Sequence, residues 1–209
     1  MLIFGDSYST FKGSIPEGYA NYYSETEGAD NSVTSANLTW WGQLINETDS
    51  NLIRNDSWSG STICHQGYAG MDCSETFSFL DRIDRMNHDG FSKKETIDTV
   101  SIFGGINDSW ANVPIGEIKY DNYSGQDLRT VLPGICAFFG KVKEYCPNAK
   151  VICIINTGLK EEITSGMCEA CAHYGFDCVT LKDIDKSSEH PTFKGMCEIK
   201  NQILLSLNQ

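Results

Sequence analysis

The alternation of short apolar segments with longer amphipathic ones is the feature that most constrains the fold of this chain. Five segments are predicted to be strands, at residues 2–4, 51–55, 96–103, 150–155 and 178–181. Strands that alternate with helices imply a parallel sheet with right-handed crossovers. We therefore predict an α/β protein with a three-layer α/β/α sandwich, flavodoxin-like, containing about five parallel strands. Residues 1–209 are predicted to form a single domain.

Segments with helical periodicity lie between the predicted strands and at the end of the chain. Helices are predicted at residues 38–47, 74–87, 125–145, 161–174 and 192–207. Thr39 is available to cap the first helix, and Gly175 stops the fourth. Pro133 and Gly134 predict either a kink in the third helix or its true start. Residues 11–38 show no periodicity and are expected to form a long loop.

The charge balance of the chain restricts its partners. Sixteen Lys and Arg residues stand against 28 Asp and Glu residues, which gives a formal charge of -12. We therefore expect no binding to nucleic acid or to anionic membranes. No apolar run reaches the roughly 18 residues of a membrane span, and the sequence opens on a strand rather than on a signal peptide. A cytoplasmic chain is expected, with an export signal removed upstream as the alternative.

Cysteine usage favours reduced thiols. The nine cysteines are an odd number, and Cys153 lies inside the apolar run 151–155. Such cysteines are typical of small apolar side chains in a reducing setting. Cys168 and Cys171 have the spacing of half a zinc site or of a redox pair. Neither a second such pair nor a nearby histidine pair completes a site, so no metal is predicted.

Four polar clusters follow predicted strands or loops, and they contain the candidate functional residues. They are Gly5-Asp6-Ser7, residues 55–60, residues 104–109 and residues 190–196. Each cluster alone is typical of an ordinary turn. However, ligands of open α/β sheets bind at the carboxyl ends of the strands. We therefore expect a site that combines residues from both ends of the chain.

In this order, the four clusters resemble the motifs of the SGNH (GDSL-type) hydrolase family. The resemblance implies an acyl transfer in which Ser7 is the nucleophile and His190 the general base. It further implies an oxyanion hole made of the backbone N–H groups of Ser7 and Gly60 and the side-chain amide of Asn107. A glycine lets the backbone approach an anion closely, and a carboxamide donates hydrogen bonds without adding charge.

The chain departs from the family at the residue that orients the histidine. The family usually has an aspartate three residues before the histidine, where this chain has Ser187. Asp185 could reach the imidazole if the polar linker, residues 182–189, bulges. Glu189 is an immediate neighbour of His190 and is expected to point away. A backbone carbonyl could also orient the ring. We predict a Ser-His dyad, with Asp185 as the candidate third member.

The substrate is expected to be a small-molecule or carbohydrate ester. Several aromatic residues lie near predicted loops, where they could stack on sugar rings or acyl groups: Trp40, Trp41, Trp58, Trp110, Tyr8, Tyr68 and Tyr120. With no long apolar lid, an O-acetylated carbohydrate is favoured over a phospholipid, and no cofactor is implied.

Two other functions share this architecture, and the sequence leaves the oligomeric state open. The first is a catalytically weak or inactive carbohydrate-binding member of the same fold, which the serine at position 187 suggests. The second is a flavin or nucleotide binder, although the chain has no glycine-rich phosphate-binding motif.

Overall fold

A computed structural model describes residues 1–26 and 32–207, and a five-stranded parallel sheet forms its centre. The strands of this sheet are β1 (Leu2–Gly5), β2 (Arg54–Ser57), β3 (Thr99–Phe103), β4 (Lys150–Ile155) and β5 (Asp177–Thr180). They lie in the order β2-β1-β3-β4-β5. This is the flavodoxin-like order, so the predicted fold class is confirmed. A separate antiparallel pair consists of β6 (Lys186–Ser187) and β7 (His190–Pro191).

Helices cover both faces of the sheet. They are α1 (Trp40–Thr48), α2 (Phe79–His88), α3 (Phe91–Lys94), α4 (Ile106–Trp110), α5 (Val131–Tyr145), α6 (Glu161–Tyr174) and α7 (Phe193–Leu207). Successive strand residues point to opposite faces. In β1, Leu2 and Phe4 therefore pack in one core with α2, α5 and α6, while Ile3 packs in the other with α1 and α7. Burying one such side chain contributes about 1.5–3 kcal/mol.

Capping residues determine where several helices begin. The Thr39 hydroxyl accepts the Gly42 N–H at 3.0 Å, so α1 begins at Trp40 as its predicted cap requires. Ser78 caps α2 in the same way, which explains why that helix begins five residues later than the periodicity indicates. Pro133 lies in the first turn of α5 and therefore marks its start rather than a kink.

Strand β2 differs from its predicted position by three residues at its start. The apolar residues 52 and 53 precede it, and the strand itself is polar. Asp56 within it is fully buried, and its carboxylate oxygens lie 3.0 Å from Arg82 Nη1 and 2.6 Å from Arg54 Nη2. Charge pairing therefore replaces apolar burial in this strand, which is why the apolar residues 52 and 53 predict it too early in the chain.

The connections contain short elements that the sequence patterns do not predict. Helix α4 occupies the region expected to be the Asn107 turn, and the β6–β7 hairpin occupies part of the polar linker. Pro191 belongs to β7, and α7 begins at Phe193, one residue after the predicted start of the last helix. The loop predicted over 11–38 contains a β-bridge between Phe11 and Tyr23 and a 3-10 turn at Ala36–Leu38; its residues 27–31 lie outside the described residues.

No disulfide joins any of the nine cysteines, all of which lie within the described residues. Among residues 1–26 and 32–207, no helix combines the length and apolarity needed to traverse a bilayer.

Candidate active site

Ser7 lies in a tight turn that directly follows the central strand β1. Asp6 caps the 3-10 turn Ser7–Ser9, because its carboxylate accepts the Tyr8 N–H at 3.0 Å. A side chain at Gly5 would place a Cβ 2.5 Å from the Cβ of Ser9. The chain can therefore turn back this closely only because residue 5 is glycine. The hydroxyl of Ser7 consequently stands at the carboxyl edge of the sheet.

The Ser7 hydroxyl meets an imidazole from the other end of the chain. His190 Nε2 lies 2.9 Å from Ser7 Oγ, although the two residues are 183 positions apart. The other ring nitrogen, Nδ1, lies 3.0 Å from the carbonyl oxygen of Ser188. A carbonyl can only accept, so Nδ1 carries the proton and Nε2 is free to accept the Ser7 O–H. This arrangement allows the imidazole to remove the hydroxyl proton.

A two-residue hairpin turn holds His190 in this position. Ser187 pairs with His190 across β6 and β7, and the turn residues Ser188 and Glu189 have φ angles of 45° and 66°. Left-handed backbone costs a non-glycine residue roughly 1–2 kcal/mol. The carbonyl of Glu189 accepts the Tyr8 hydroxyl, which joins this strained turn to the turn that bears the nucleophile.

Asp185 lies apart from the imidazole. Its carboxylate accepts the Thr192 hydroxyl and lies 3.8 Å from the Lys194 ammonium. None of its contacts among the described residues involves His190, because the hairpin folds the Ser188 carbonyl back onto Nδ1. The structure thus places the Ser188 carbonyl, and not the Asp185 carboxylate, at Nδ1 of His190.

Aromatic rings surround His190. Tyr22 stacks on the imidazole with ring centroids 3.6 Å apart and planes 6° apart, and Trp110 lies edge-on at 6.2 Å. Trp110 is 39% exposed and lines the site. Of the other predicted aromatics, Trp40 and Trp41 are buried in a core, and Tyr120 stacks on His173 of α6 instead.

Three hydrogen-bond donors lie in the segments that follow strands β1, β2 and β3. The backbone N–H groups of Ser7 and Gly60 donate to no acceptor among the described residues. Gly60 has a φ of 82°, which explains why glycine suits this turn. Asn107 Nδ2 donates one hydrogen bond to the Ser61 carbonyl at 3.0 Å, which leaves its second N–H available. These are the donors that the motifs predict for an oxyanion hole.

Strand register brings these donors to Ser7. Gly5 pairs with Ser57 of β2 on one side and with Phe103 of β3 on the other. The segments that follow β2 and β3 therefore flank the nucleophile, at the point where the strand order reverses. The buried Arg82 reinforces this junction, because its Nη2 lies 3.2 Å from both the Gly5 carbonyl and the Ser61 hydroxyl.

The environment favours neutral His190. Burial lowers the pKa of His190, the Ser188 carbonyl raises it, and the Lys186 cation lowers it further. Lys186 Nζ lies 5.3 Å from the Tyr8 ring centroid. Because the pKa of His190 is lowered, its imidazole is unprotonated, and competent as a base, at a lower pH than a free histidine. Burial also raises the pKa of the neighbouring turn residue Asp6 to about 7.

The five-stranded parallel sheet with helices on both faces is the three-layer α/β/α fold of SGNH-type hydrolases. The chain belongs to the GDSL-like lipase/acylhydrolase family, whose sequence model matches residues 1–207. A search of curated proteins found no match.

Solved structures agree with this family. A protein from Bacteroides ovatus ATCC 8483 described as a GDSL-like lipase is 37% identical, with a TM-score of 0.90, covering 99% of this chain and 97% of that one. Its counterpart from Bacteroides uniformis ATCC 8492 is 39% identical, with a TM-score of 0.89 and coverages of 99% and 95%. A carbohydrate esterase is 13% identical, with a TM-score of 0.66 and coverages of 100% and 67%, and shows likeness of fold alone.

Proposed function

We propose that this protein is a serine esterase that hydrolyses O-acyl esters, with acetyl esters of carbohydrates as the preferred class. The observation that carries the proposal is the hydrogen bond between Ser7 Oγ and His190 Nε2 at 2.9 Å, made by a ring whose Nδ1 is already bound to a carbonyl. An imidazole bound in this way has the tautomer that a general base needs.

The proposed reaction proceeds through an acyl-enzyme. Ser7 Oγ attacks the ester carbonyl carbon while His190 Nε2 takes the hydroxyl proton. The oxygen that becomes negative accepts hydrogen bonds from the N–H groups of Ser7 and Gly60 and from Asn107 Nδ2. The imidazolium then protonates the departing alkoxide. Water attacks the acyl-enzyme with the same base, which releases the acid and restores Ser7.

The Ser188 carbonyl takes the place of a carboxylate in this proposal. It accepts the Nδ1–H at 3.0 Å, so it stabilises the imidazolium that forms during the reaction. A neutral carbonyl supplies less charge stabilisation than an aspartate, and the dyad is consequently expected to be slower than a full triad.

Exposed aromatic residues support a carbohydrate substrate. Trp110 lies beside His190, and Tyr68 donates to Asn107 Oδ1 at 2.7 Å; each is 39% exposed. Aromatic faces at the rim of a polar site are suited to the apolar face of a sugar ring. The carbohydrate esterase that shares the fold is consistent with this substrate class.

Non-catalytic carbohydrate binding is the alternative, which the serine at position 187 favours. The distant carbohydrate esterase that shares the fold is described as having an active site with divergent catalytic and non-catalytic binding functions. Binding without turnover would need the same aromatic rim and would make no use of the Ser7 nucleophile. The two functions are therefore separated by removing the hydroxyl.

The experiment compares wild type with Ser7→Ala on p-nitrophenyl acetate. We expect kcat to fall at least about a thousandfold, because the nucleophile is lost. Ser14→Ala is the matched control, since it removes a hydroxyl seven positions away. A fluorophosphonate probe should label wild type and the control at Ser7, and Ser7→Ala not at all. Equal hydrolysis by wild type and Ser7→Ala would refute the esterase proposal and favour the binding alternative.

A second measurement tests the substrate class. Release of acetate from acetylated xylan is compared with hydrolysis of p-nitrophenyl butyrate and of a phospholipid. The proposal predicts higher kcat/KM for the acetylated polysaccharide. Preference for the phospholipid would contradict it.

A further inference from the structure

The side chain of Asn107 is held at two of its three polar positions. Its Nδ2 donates to the Ser61 carbonyl at 3.0 Å, and its Oδ1 accepts the Tyr68 hydroxyl at 2.7 Å. The residue itself is only 2% exposed. A carboxamide is planar, so once its oxygen and one N–H are fixed, the second N–H can point in only one direction. Tyr68 therefore takes part in setting where Asn107 can donate.

We propose that Tyr68 is a positioning residue for the oxyanion donor Asn107. The phenol O–H of Tyr68 donates to the amide oxygen of Asn107 and holds that side chain in place. The inference rests on the proposed esterase function and extends it to a residue that does not touch the reacting atoms. The hydrogen bond to Oδ1 also polarises the amide, which strengthens the remaining N–H as a donor.

The loop around Tyr68 is built to keep the phenol in place. Tyr68 begins a 3-10 turn that ends at Gly70, and the Gly67 N–H closes the loop on the Met71 carbonyl at 2.8 Å. Arg129 Nη2 lies 3.2 Å from the Gly70 carbonyl and anchors the turn to the segment before α5. The phenol thus reaches Asn107 from a tethered loop rather than from a free surface side chain.

The phenol remains a donor at every pH at which the dyad works. Burial raises the pKa of Tyr68, and the nearby Asp6 and Asp108 carboxylates raise it further. The O–H is therefore protonated throughout the neutral and mildly alkaline range. Loss of activity on its removal should not depend on pH in that range.

A double-mutant cycle on p-nitrophenyl acetate tests the proposal with Tyr68→Phe, Asn107→Ala and the double variant. Tyr68→Phe keeps the ring, which still excludes water, but it removes the hydroxyl and so leaves Oδ1 of Asn107 unpaired. We expect kcat to fall roughly ten- to a hundredfold, less than the about 10²–10³-fold typical of losing an oxyanion donor itself. KM should stay within about twofold, because ground-state binding is unaffected.

The cycle distinguishes positioning from direct contact with substrate. If Tyr68 acts through Asn107, Tyr68→Phe should cost less than about twofold once Asn107 is already alanine. Equal cost in both backgrounds would overturn the proposal, as would a Tyr68→Phe variant with wild-type kcat. Tyr145→Phe is the control; it removes a phenol whose partner, Asp84, lies 3.5 Å away on the surface.

A measurement without turnover keeps the inference separate from the proposed function. In ¹⁵N-labelled protein, the Asn107 side-chain NH₂ signals are assigned by their loss in Asn107→Ala. Tyr68→Phe should shift these signals and speed their exchange with water, whereas Tyr145→Phe should not. Unchanged signals would overturn the inference. If Ser7→Ala retains activity, the esterase proposal fails, and the Tyr68 contact stands or falls on these signals alone.

Discussion

The substitution Asp185→Asn distinguishes a Ser7-His190 dyad from a triad that includes Asp185. In a triad, changing the orienting aspartate to asparagine lowers kcat about 10⁴-fold. At about 1.36 kcal/mol per factor of ten, that loss is about 5.4 kcal/mol of transition-state stabilisation. Here the Asp185 carboxylate contacts Thr192 and Lys194, while the Ser188 carbonyl occupies Nδ1 of His190. We therefore expect kcat of Asp185→Asn to stay within about twofold of wild type.

The cost of Asp185→Asn should appear in stability instead, and it should be small. The lost ion pair joins groups 3.8 Å apart, and the Lys194 side chain is 72% exposed. Such exposed pairs contribute less than about 1 kcal/mol. In Asp185→Asn, the side-chain oxygen of the asparagine can still accept the hydrogen bond from the Thr192 hydroxyl. The melting temperature should therefore fall by no more than about 4 °C for a chain of this size.

The assay measures kcat and KM on p-nitrophenyl acetate at neutral pH, with thermal unfolding in parallel. His190→Ala is the comparator, because it removes the base itself and should abolish turnover. A fall in kcat of about a hundredfold for Asp185→Asn with unchanged KM would refute this reasoning. It would mean that the carboxylate orients the imidazole during the reaction.

Three further substitutions test the surroundings of the site. Lys186→Met removes a cation that lowers the pKa of His190, so the acidic limb of the kcat/KM profile should move to higher pH; an unmoved midpoint would contradict this. Arg82→Met should destabilise the protein by about 3–5 kcal/mol, since it leaves Asp56 buried with only one cationic partner. In urea unfolding, adding Asp56→Asn should restore part of that loss, and an additive loss would argue against the pairing. Gly60→Ala should cost roughly 1–2 kcal/mol through its φ of 82° and lower kcat more than it raises KM; wild-type kinetics would exclude that turn from the oxyanion site.

Local sequence patterns determined most of the layers of this fold. Strand β4 and helix α6 have the predicted bounds, 150–155 and 161–174. The strand is a continuous apolar run, and the helix has a clear stop at Gly175, whose φ is 70°. Patterns of this kind report burial and capping, which depend on near neighbours in the chain. The order of the polar clusters likewise indicates the candidate site without knowledge of any contact.

Elements whose stability comes from distant partners are misplaced or missed by local patterns. Strand β2 is polar and stable because Asp56 meets Arg82 of α2, 26 residues away. Helix α4 spans only five residues, from Ile106 to Trp110, too few to show a period. Its Asp108 accepts the Ile63 N–H at 2.9 Å, a tertiary contact that no local pattern indicates.

The sequence by itself determined the parallel α/β sheet, the hydrolase family that the motifs resemble, and the short list of residues for the site. Only the tertiary structure decided which group lies at Nδ1 of His190, namely the Ser188 carbonyl. Ser188 and Glu189 both adopt left-handed backbone, which local propensity disfavours. In this conformation the Ser188 carbonyl accepts from His190 and the Glu189 carbonyl accepts from Tyr8. The hydrogen bonds that Tyr8 donates to the Glu189 carbonyl and that Ser7 donates to His190 connect the two ends of the chain. They exist only once the sheet has brought those ends together.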